Sequence, residues 1–394
     1  MIRRKNIDFK KTFDFSFKKY FNLKRHIKYF DTFLFVMVIL ISILGIVMIS
    51  SATSNFENSK KYISTQTLSL VIGLIFMFIT IYIDYRNIGR AYKIIYIFNF
   101  ILLTGVIILG TGKDQWGAQR WIRIGGIGIQ PSEIAKIGFI ITFAKFLELI
   151  KDNLNKIKYL LAVFCYIGVP IILVMIQPDL GTALSFVFIS IAMIYICGID
   201  YRYILGGFLS CIVIIPIAWQ YVFKAYQKSR ILVFINPDSD PMGGGYHVLQ
   251  SKIAVGSGEL FGTGLFKGAH AQNFLPEKHT DFIFALIGEE LGFIGSIIVV
   301  LLLLIIVLRC ISIAKSAKDN LGCYICVGVA SMIIFQTFIN IGMCIGIMPV
   351  TGIPLPFISY GGSSLITNFV AMGLVLNVGL RHKPINFYKG SIND

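Results

Sequence analysis

The chain has 394 residues, of which 56% are hydrophobic and 14% charged, and a formal net charge of +16. No soluble domain hides that much apolar surface, whereas a bundle of membrane helices exposes it to lipid, so a soluble globular protein is excluded. The positive balance is what topology and attraction to anionic lipid produce, and no nucleic-acid partner is expected from it.

Residues 1–30 form a basic, aromatic-rich segment holding 10 Lys/Arg. The apolar stretch behind it has no small-residue cleavage site, so it is predicted to be a retained helix rather than a removable signal peptide. Ten spans are predicted, at 31–50, 66–83, 92–110, 131–148, 159–176, 180–198, 202–222, 281–308, 323–344 and 360–380. With the N-terminus in the cytoplasm, 24 Lys/Arg fall in cytoplasmic segments and 11 in external ones, with Lys136 inside a span. That asymmetry puts both termini in the cytoplasm. The expected class is an all-α polytopic membrane protein. A membrane domain at 31–380 carries a large external loop, about 223–280, between helices 7 and 8, and 381–394 forms a cytoplasmic tail. No internal repeat is visible.

Two external segments are too long for simple connectors, and loops of that size are uncommon unless they function or are disordered. One is residues 111–130, TGKDQWGAQRWIRIGGIGIQ. The other, 223–280, is rich in turn signals, yet its apolar periodic stretch Tyr246 to Phe261 predicts a helix on or dipping into the outer surface. A third feature faces the same side: MPVTGIPLPFISYGGSS (348–364), directly before the last span. Irregular backbone at membrane depth is tolerated only where it lines a cavity or is buried in protein. Gly361, Gly362, Ser363 and Ser364 open a helix whose free amides could hold an anion, or could simply form a hinge with a serine N-cap.

Charges at membrane depth are the sharpest signal, since an aspartate at a helix centre costs roughly 2.5–3.5 kcal/mol. In PSEIAK (131–136), Glu133 and Lys136 sit one turn apart on one face, either lining a polar cavity or acting as a structural staple. FLPEKHTDFIFALIGEELGFIGS (274–296) brings Glu277, His279, Asp281, Glu289 and Glu290 to the point where a polar loop enters an apolar helix. On one continuous helix, Glu289 would lie about 80° round from Asp281 and about 12 Å deeper, with both facing one groove. Asp281, at the mouth, is the candidate for chemistry, with helix capping as its alternative. Glu289 is expected to pair with a buried Lys or Arg. His279 could assist Asp281 or simply be solvated. The pair Cys323-x-x-Cys326 lacks a partner pair, so neither metal nor redox chemistry is expected of it.

The segments GAQRWI (117–122), QPSEIAK (130–136), QPDLGT (177–182), LPEKHTDFIFALIGEELGFIG (275–295) and PVTGIPLPFISYGGSS (349–364) resemble those of the SEDS proteins of bacterial shape, elongation, division and sporulation. The likeness spans most of residues 30–382, with the motifs in the family's order, and QSKIAVGSG (250–258) is closer to the RodA-like elongation branch than to the division branch. The resemblance implies a peptidoglycan glycosyltransferase that polymerises lipid II at the outer face of the cytoplasmic membrane. It puts the family's essential acid on Asp281, its functionally important tryptophan on Trp121 and its buried ion pair on Glu133 and Lys136. It also implies a class B penicillin-binding protein as transpeptidase partner, undecaprenyl-linked glycan as bound substrate, and the cell-elongation machinery as context.

In that chemistry a GlcNAc 4-hydroxyl attacks MurNAc C1 and expels undecaprenyl pyrophosphate, so a base and cationic groups are needed. Asp281 would serve as base or as ligand of a divalent cation such as Mg or Mn. Arg120, Arg123, Lys136 and Lys252 are the cationic candidates, and Ser359 to Ser364, including Ser363 and Ser364, a candidate amide cradle. Trp121 would either anchor at the interface or stack on a sugar. The rival expectations are a lipid II flippase, a division or sporulation paralogue with the same chemistry, a scaffold, and an ion-coupled transporter, for which no inverted repeat appears.

Overall fold

The structure is a computed structural model that describes residues 30–110, 120–124, 127–221, 223, 225–241 and 243–381. Nearly all of the basic 1–30 segment, the 382–394 tail and the side chain of Arg123 lie outside the described residues. In chain order the elements are α1 Thr32–Ala52, α2 Ser59–Tyr82, α3 Tyr85–Arg90, α4 Tyr92–Leu109, β1 Ile122–Ile124, β2 Ile127–Ile129, α5 Pro131–Ile150, α6 Ile157–Ile176, α7 Leu180–Cys197 and α8 Tyr201–Tyr221. They continue with α9 Ala225–Ile235, α10 Gly244–Ser257, α11 Ala269–Phe274, α12 Ile283–Ser316, α13 Asn320–Cys344 and α14 Gly362–Leu380.

Among the described residues, eight of these helices are long and apolar enough to cross a membrane, and α5 and α8, of 20 and 21 residues, complete a set of ten. The chain is a multi-pass membrane protein. Its core helices are α13 and α14, buried over most of their length, while outer helices turn Ile94, Phe98 and Phe164 outward, where lipid supplies the apolar contact. Close approach of α2 and α14 depends on small residues. A Cβ at Gly373 would meet the Met77 carbonyl at 2.8 Å, and one at Gly73 would meet the Phe369 ring at 3.0 Å. On α2 the first turns lie before the span expected at 66–83, since the helix begins at Ser59. Within the 111–130 loop, β1 and β2 form an antiparallel hairpin pairing Ile122 with Ile129, a short strand element not expected from the sequence.

The segment expected as one helix from 281 to 308 is interrupted. Asp281 lies in a turn before α12, and Gly292, at φ 66° and ψ −165°, breaks the helix. The broken ladder is repaired by the segment that follows α10. Thr263 and Gly264 amides donate to the Glu289 and Glu290 carbonyls at 2.9 and 3.0 Å, and the Phe293 and Ile294 amides donate to the Glu259 and Leu260 carbonyls at 2.9 and 3.2 Å. A discontinuous helix survives at membrane depth because neighbouring backbone satisfies the freed groups. Asp281 therefore stands before α12 rather than on the same helix as Glu289. Glu289 accepts the His270 and Ala271 amides of α11 at 2.8 and 2.7 Å, rather than pairing with a Lys or Arg. Glu290 accepts from Ser51 Oγ at 2.5 Å and ties α12 to α1.

Candidate active site

Asp281 stands in the tight turn from Glu277 to Phe282. The Glu277 carbonyl accepts the Thr280 and Phe282 amides at 3.1 and 3.2 Å, and its carboxylate accepts from Thr280 Oγ1 at 2.9 Å. Glu277 takes φ 51°, a left-handed conformation that an ordinary residue holds only when its surroundings force it. A strap, residues 349–361, clamps this turn from the side. Ser359 Oγ donates to the Thr280 carbonyl at 2.7 Å, and the Tyr360 amide donates to the His279 carbonyl at 2.9 Å. Buried Gln66 of α2 fixes the strap in turn, donating to the Ser359 carbonyl and accepting the Gly361 amide, both at 3.2 Å. Asn340 of α13 donates through Nδ2 to the carbonyls of Asp281 and Ile353, at 2.9 and 2.8 Å.

Around the carboxylate the strap narrows to Gly352, at φ 74°. A Cβ placed on Gly352 would lie 3.3 Å from Asp281 Oδ2 and 3.8 Å from Arg120 Nη1, so the bare glycine leaves open a position that borders both groups. The guanidinium of Arg120 is held by the Pro178 carbonyl at 3.0 Å and by Asp179 Oδ1 at 3.7 Å. Arg230 of α9 donates to the Thr351 carbonyl at 3.3 Å. Burial pushes the Asp281 carboxyl up to about 6, and the Glu277 carboxylate adds to the rise. Arg120 and Arg230 pull the other way. The result is a partly buried acid that is mostly ionised at neutral pH and still basic enough to take a proton, flanked by two permanent cations.

The other expected residues are placed unevenly. The Trp121 ring lies over Gly128 of the hairpin, where a Cβ would stand 3.3 Å from Cε3, next in sequence to Arg120. Glu133 and Lys136 form a buried ion pair at 2.7 Å. The second carboxylate oxygen of Glu133 and Ser132 Oγ are buried without a protein partner there, which marks a polar layer within α5. Lys252 is exposed and reaches across Gly346. Ser363 Oγ accepts the Gln130 amide at 3.4 Å, and Ser364 is buried. With the Gly361 amide taken by Gln66, the proposed cradle is partly filled by the protein itself.

His279 is half-buried rather than freely solvated, and its Nδ1 is buried without a partner among the described residues. It sits among Phe56, Tyr62 and Tyr360, with ring centroids at 5.7, 5.2 and 5.5 Å. Burial, with Lys278 adding, pushes it down to about 4, so it is neutral at pH 7 and serves as packing for the turn.

Four residues at the site were not singled out from the sequence: Asp179, Arg230, Asn340 and Gly352. Asp179 and Gly352 lie inside segments that carry the family resemblance, and Asn340 is a polar residue within an apolar helix, a signal that could have found it. Arg230 is the first residue of the run 230–264, RILVFINPDSDPMGGGYHVLQSKIAVGSGELFGTG, which carries the likeness to the elongation branch. Among the described residues no three His, Cys, Asp or Glu side chains converge to hold a metal ion. The carboxylates of Glu277 and Asp179 act on Asp281 at longer range, and the guanidiniums of Arg120 and Arg230 compete there with any divalent cation, so the residues present do not fit a resident one.

A family profile described as cell cycle protein, covering FtsW, RodA and SpoVE, matches residues 31–383. The chain belongs to this family. Among its relatives is a probable peptidoglycan glycosyltransferase FtsW of Geobacter sp. (strain M18), 35% identical over 365 residues that cover 91% of this chain and 98% of that one. A solved peptidoglycan synthase complex, studied for its coordination of polymerization and crosslinking, superposes with a TM-score of 0.77 at 29% identity, covering 89% of this chain and 97% of that one. The rod shape determining protein RodA of Thermus thermophilus superposes with a TM-score of 0.68 at 26% identity, covering 90% and 98%. Family members named for division and for rod shape are thus both similar to this chain.

Proposed function

We propose that this chain polymerises lipid II into glycan strands at the outer face of the bacterial cytoplasmic membrane, as the elongation-branch enzyme of its family. Its relatives carry the activity in their names, and the family membership supports it as an enzyme, a peptidoglycan glycosyltransferase. The observation that carries the mechanism is Asp281, held by its backbone in a clamped turn with its carboxyl pushed up to about 6 and facing Arg120 across Gly352. A GlcNAc 4-hydroxyl placed against Asp281 gives up its proton to the carboxylate as its oxygen bonds to MurNAc C1. The C1–oxygen bond to the diphosphate breaks with its electron pair on the departing group, whose charge Arg120 and Arg230 offset. Trp121 offers a ring face beside Arg120 for a sugar. The buried Glu133–Lys136 pair keeps a polar layer in α5, and Lys136 neutralises Glu133 rather than meeting substrate.

The excess of Lys/Arg in the segments 1–30, 84–91, 149–158, 309–322 and 381–394 supports an orientation with both termini in the cytoplasm and Asp281 outside. The chain has no penicillin-binding serine motif set for crosslinking, so a class B penicillin-binding protein is its partner in this reading. QSKIAVGSG (250–258) favours the elongation branch and the cell-shape machinery. The experiment is incubation of the purified full chain with lipid II, with and without that partner. Long strands made by the wild type and lost in Asp281→Asn support the reading. Head-group translocation without polymer, or polymer retained in Asp281→Asn, sinks it.

A further inference from the structure

Asp179 is 2% exposed and ionic in character, yet it touches no reacting group in the mechanism above. Its carboxylate caps α7, accepting from the Thr182 amide at 3.1 Å and Thr182 Oγ1 at 2.8 Å. The same carboxylate faces Arg120 Nη1 at 3.7 Å, and Pro178, one residue earlier, takes Nη2 through its carbonyl at 3.0 Å. The start of α7 therefore grips the guanidinium from two sides. Its Nε is buried without a hydrogen-bond partner, a donor left over for something the protein does not supply. The strap carrying Gly352 is registered on the same helix start, since a Cβ on Gly181 would meet Ile353 Cγ1 at 3.0 Å and Thr351 Cβ at 3.2 Å.

An arginine near an ionised aspartate collapses onto it unless something holds it off, because a bidentate pair is the strongest contact either can make. Here Arg120 and Asp281 both border the open position over Gly352 without forming a salt bridge among the described residues. We propose that Asp179 is a positioning residue for this reaction: it holds the Arg120 guanidinium away from Asp281 so that it binds the diphosphate of the lipid-linked donor. This rests on the glycosyltransferase reading. It adds that a buried acid improves the binding of an anion.

Plain electrostatics predicts the reverse, and the sign makes the test decisive. Removing a negative charge from the site should tighten diphosphate binding unless that charge is what aims the arginine. The test measures inhibition of lipid II polymerisation by undecaprenyl diphosphate, and its direct binding, for the full chain in detergent micelles. Asp179→Asn keeps one acceptor oxygen for the Thr182 amide, while its Nδ2 can donate to Thr182 Oγ1, and it is compared with Arg120→Lys, which keeps the charge but loses the fork. Both should bind undecaprenyl diphosphate about ten- to a hundredfold more weakly, with kcat falling; loss of the Asp179 charge alone moves the acidic limb to lower pH, so the direction of the binding change is the deciding readout. Equal or tighter binding in Asp179→Asn overturns the proposal. If that variant does not fold, unchanged binding in Arg120→Lys overturns it alone. Direct binding is read whether or not polymer forms, so loss of the functional reading shows separately, as a wild type that makes no strands.

Discussion

Asn340 holds Asp281 by its backbone carbonyl and leaves its carboxylate free. The same Nδ2 spans to the Ile353 carbonyl, so one buried side chain on α13 sets the spacing between the Asp281 turn and the strap that carries Gly352. Asn340→Ala removes the Asn340 donor from the Ile353 carbonyl and leaves the Asp281 carbonyl only the weak Cys344 Sγ contact at 3.8 Å, at a cost on the order of 1–3 kcal/mol for a lost buried hydrogen bond. Thermal unfolding should show a lowered midpoint, and lipid II polymerisation should drop with it. A variant with wild-type stability and rate would mean that the clamp is dispensable.

Asp281→Asn should separate activity from stability. A folded-state carboxyl raised above its ordinary value means the fold disfavours the ionised form, a penalty present above the folded value of about 6 and relieved as pH falls through it. The neutral amide removes that penalty at pH 7.5. Polymer should fall by at least about a hundredfold while the melting temperature holds or rises. A destabilised variant would show that the carboxylate acts as a structural tie.

The same raised value fixes the pH dependence. As base, Asp281 works only when ionised, so kcat/KM should lose about tenfold per unit on the acid side of a limb near pH 6. A carboxylate at its ordinary value would put that limb near 4. Initial rates across pH 4.5–8 decide between them.

His279, packed among Phe56, Tyr62 and Tyr360, contributes a ring and its backbone carbonyl rather than a proton. His279→Phe should keep polymerisation within about threefold, as volume-conserving swaps in packed sites do. Loss of activity without loss of stability would return His279 to the chemistry.

Gly292 tests the broken helix. At φ 66°, with a Cβ meeting the Gly262 amide nitrogen and the Leu260 carbonyl, alanine there would be strained and would push α12 off the segment repairing it. Gly292→Ala should destabilise by more than about 1 kcal/mol and lower activity, read by thermal unfolding of the purified protein.

The sequence alone determined the class, about ten long helices and the two segments that carry acids beside or within them, because hydropathy and charge cost are local properties of a chain in lipid. Glu133 and Lys136 were legible as a pair since one helical turn joins them. Only the tertiary structure decided that Asp281 precedes its helix, that Glu289 caps α11, and that His279 packs among rings. Each depends on backbone from another part of the chain, such as the residues after α10 that repair the break at Gly292. The same holds for Arg120, Asp179, Gly352 and Asp281. They come from separate segments, and only the packing of α7, α13 and the strap brings a cation and a base to either side of one bare glycine.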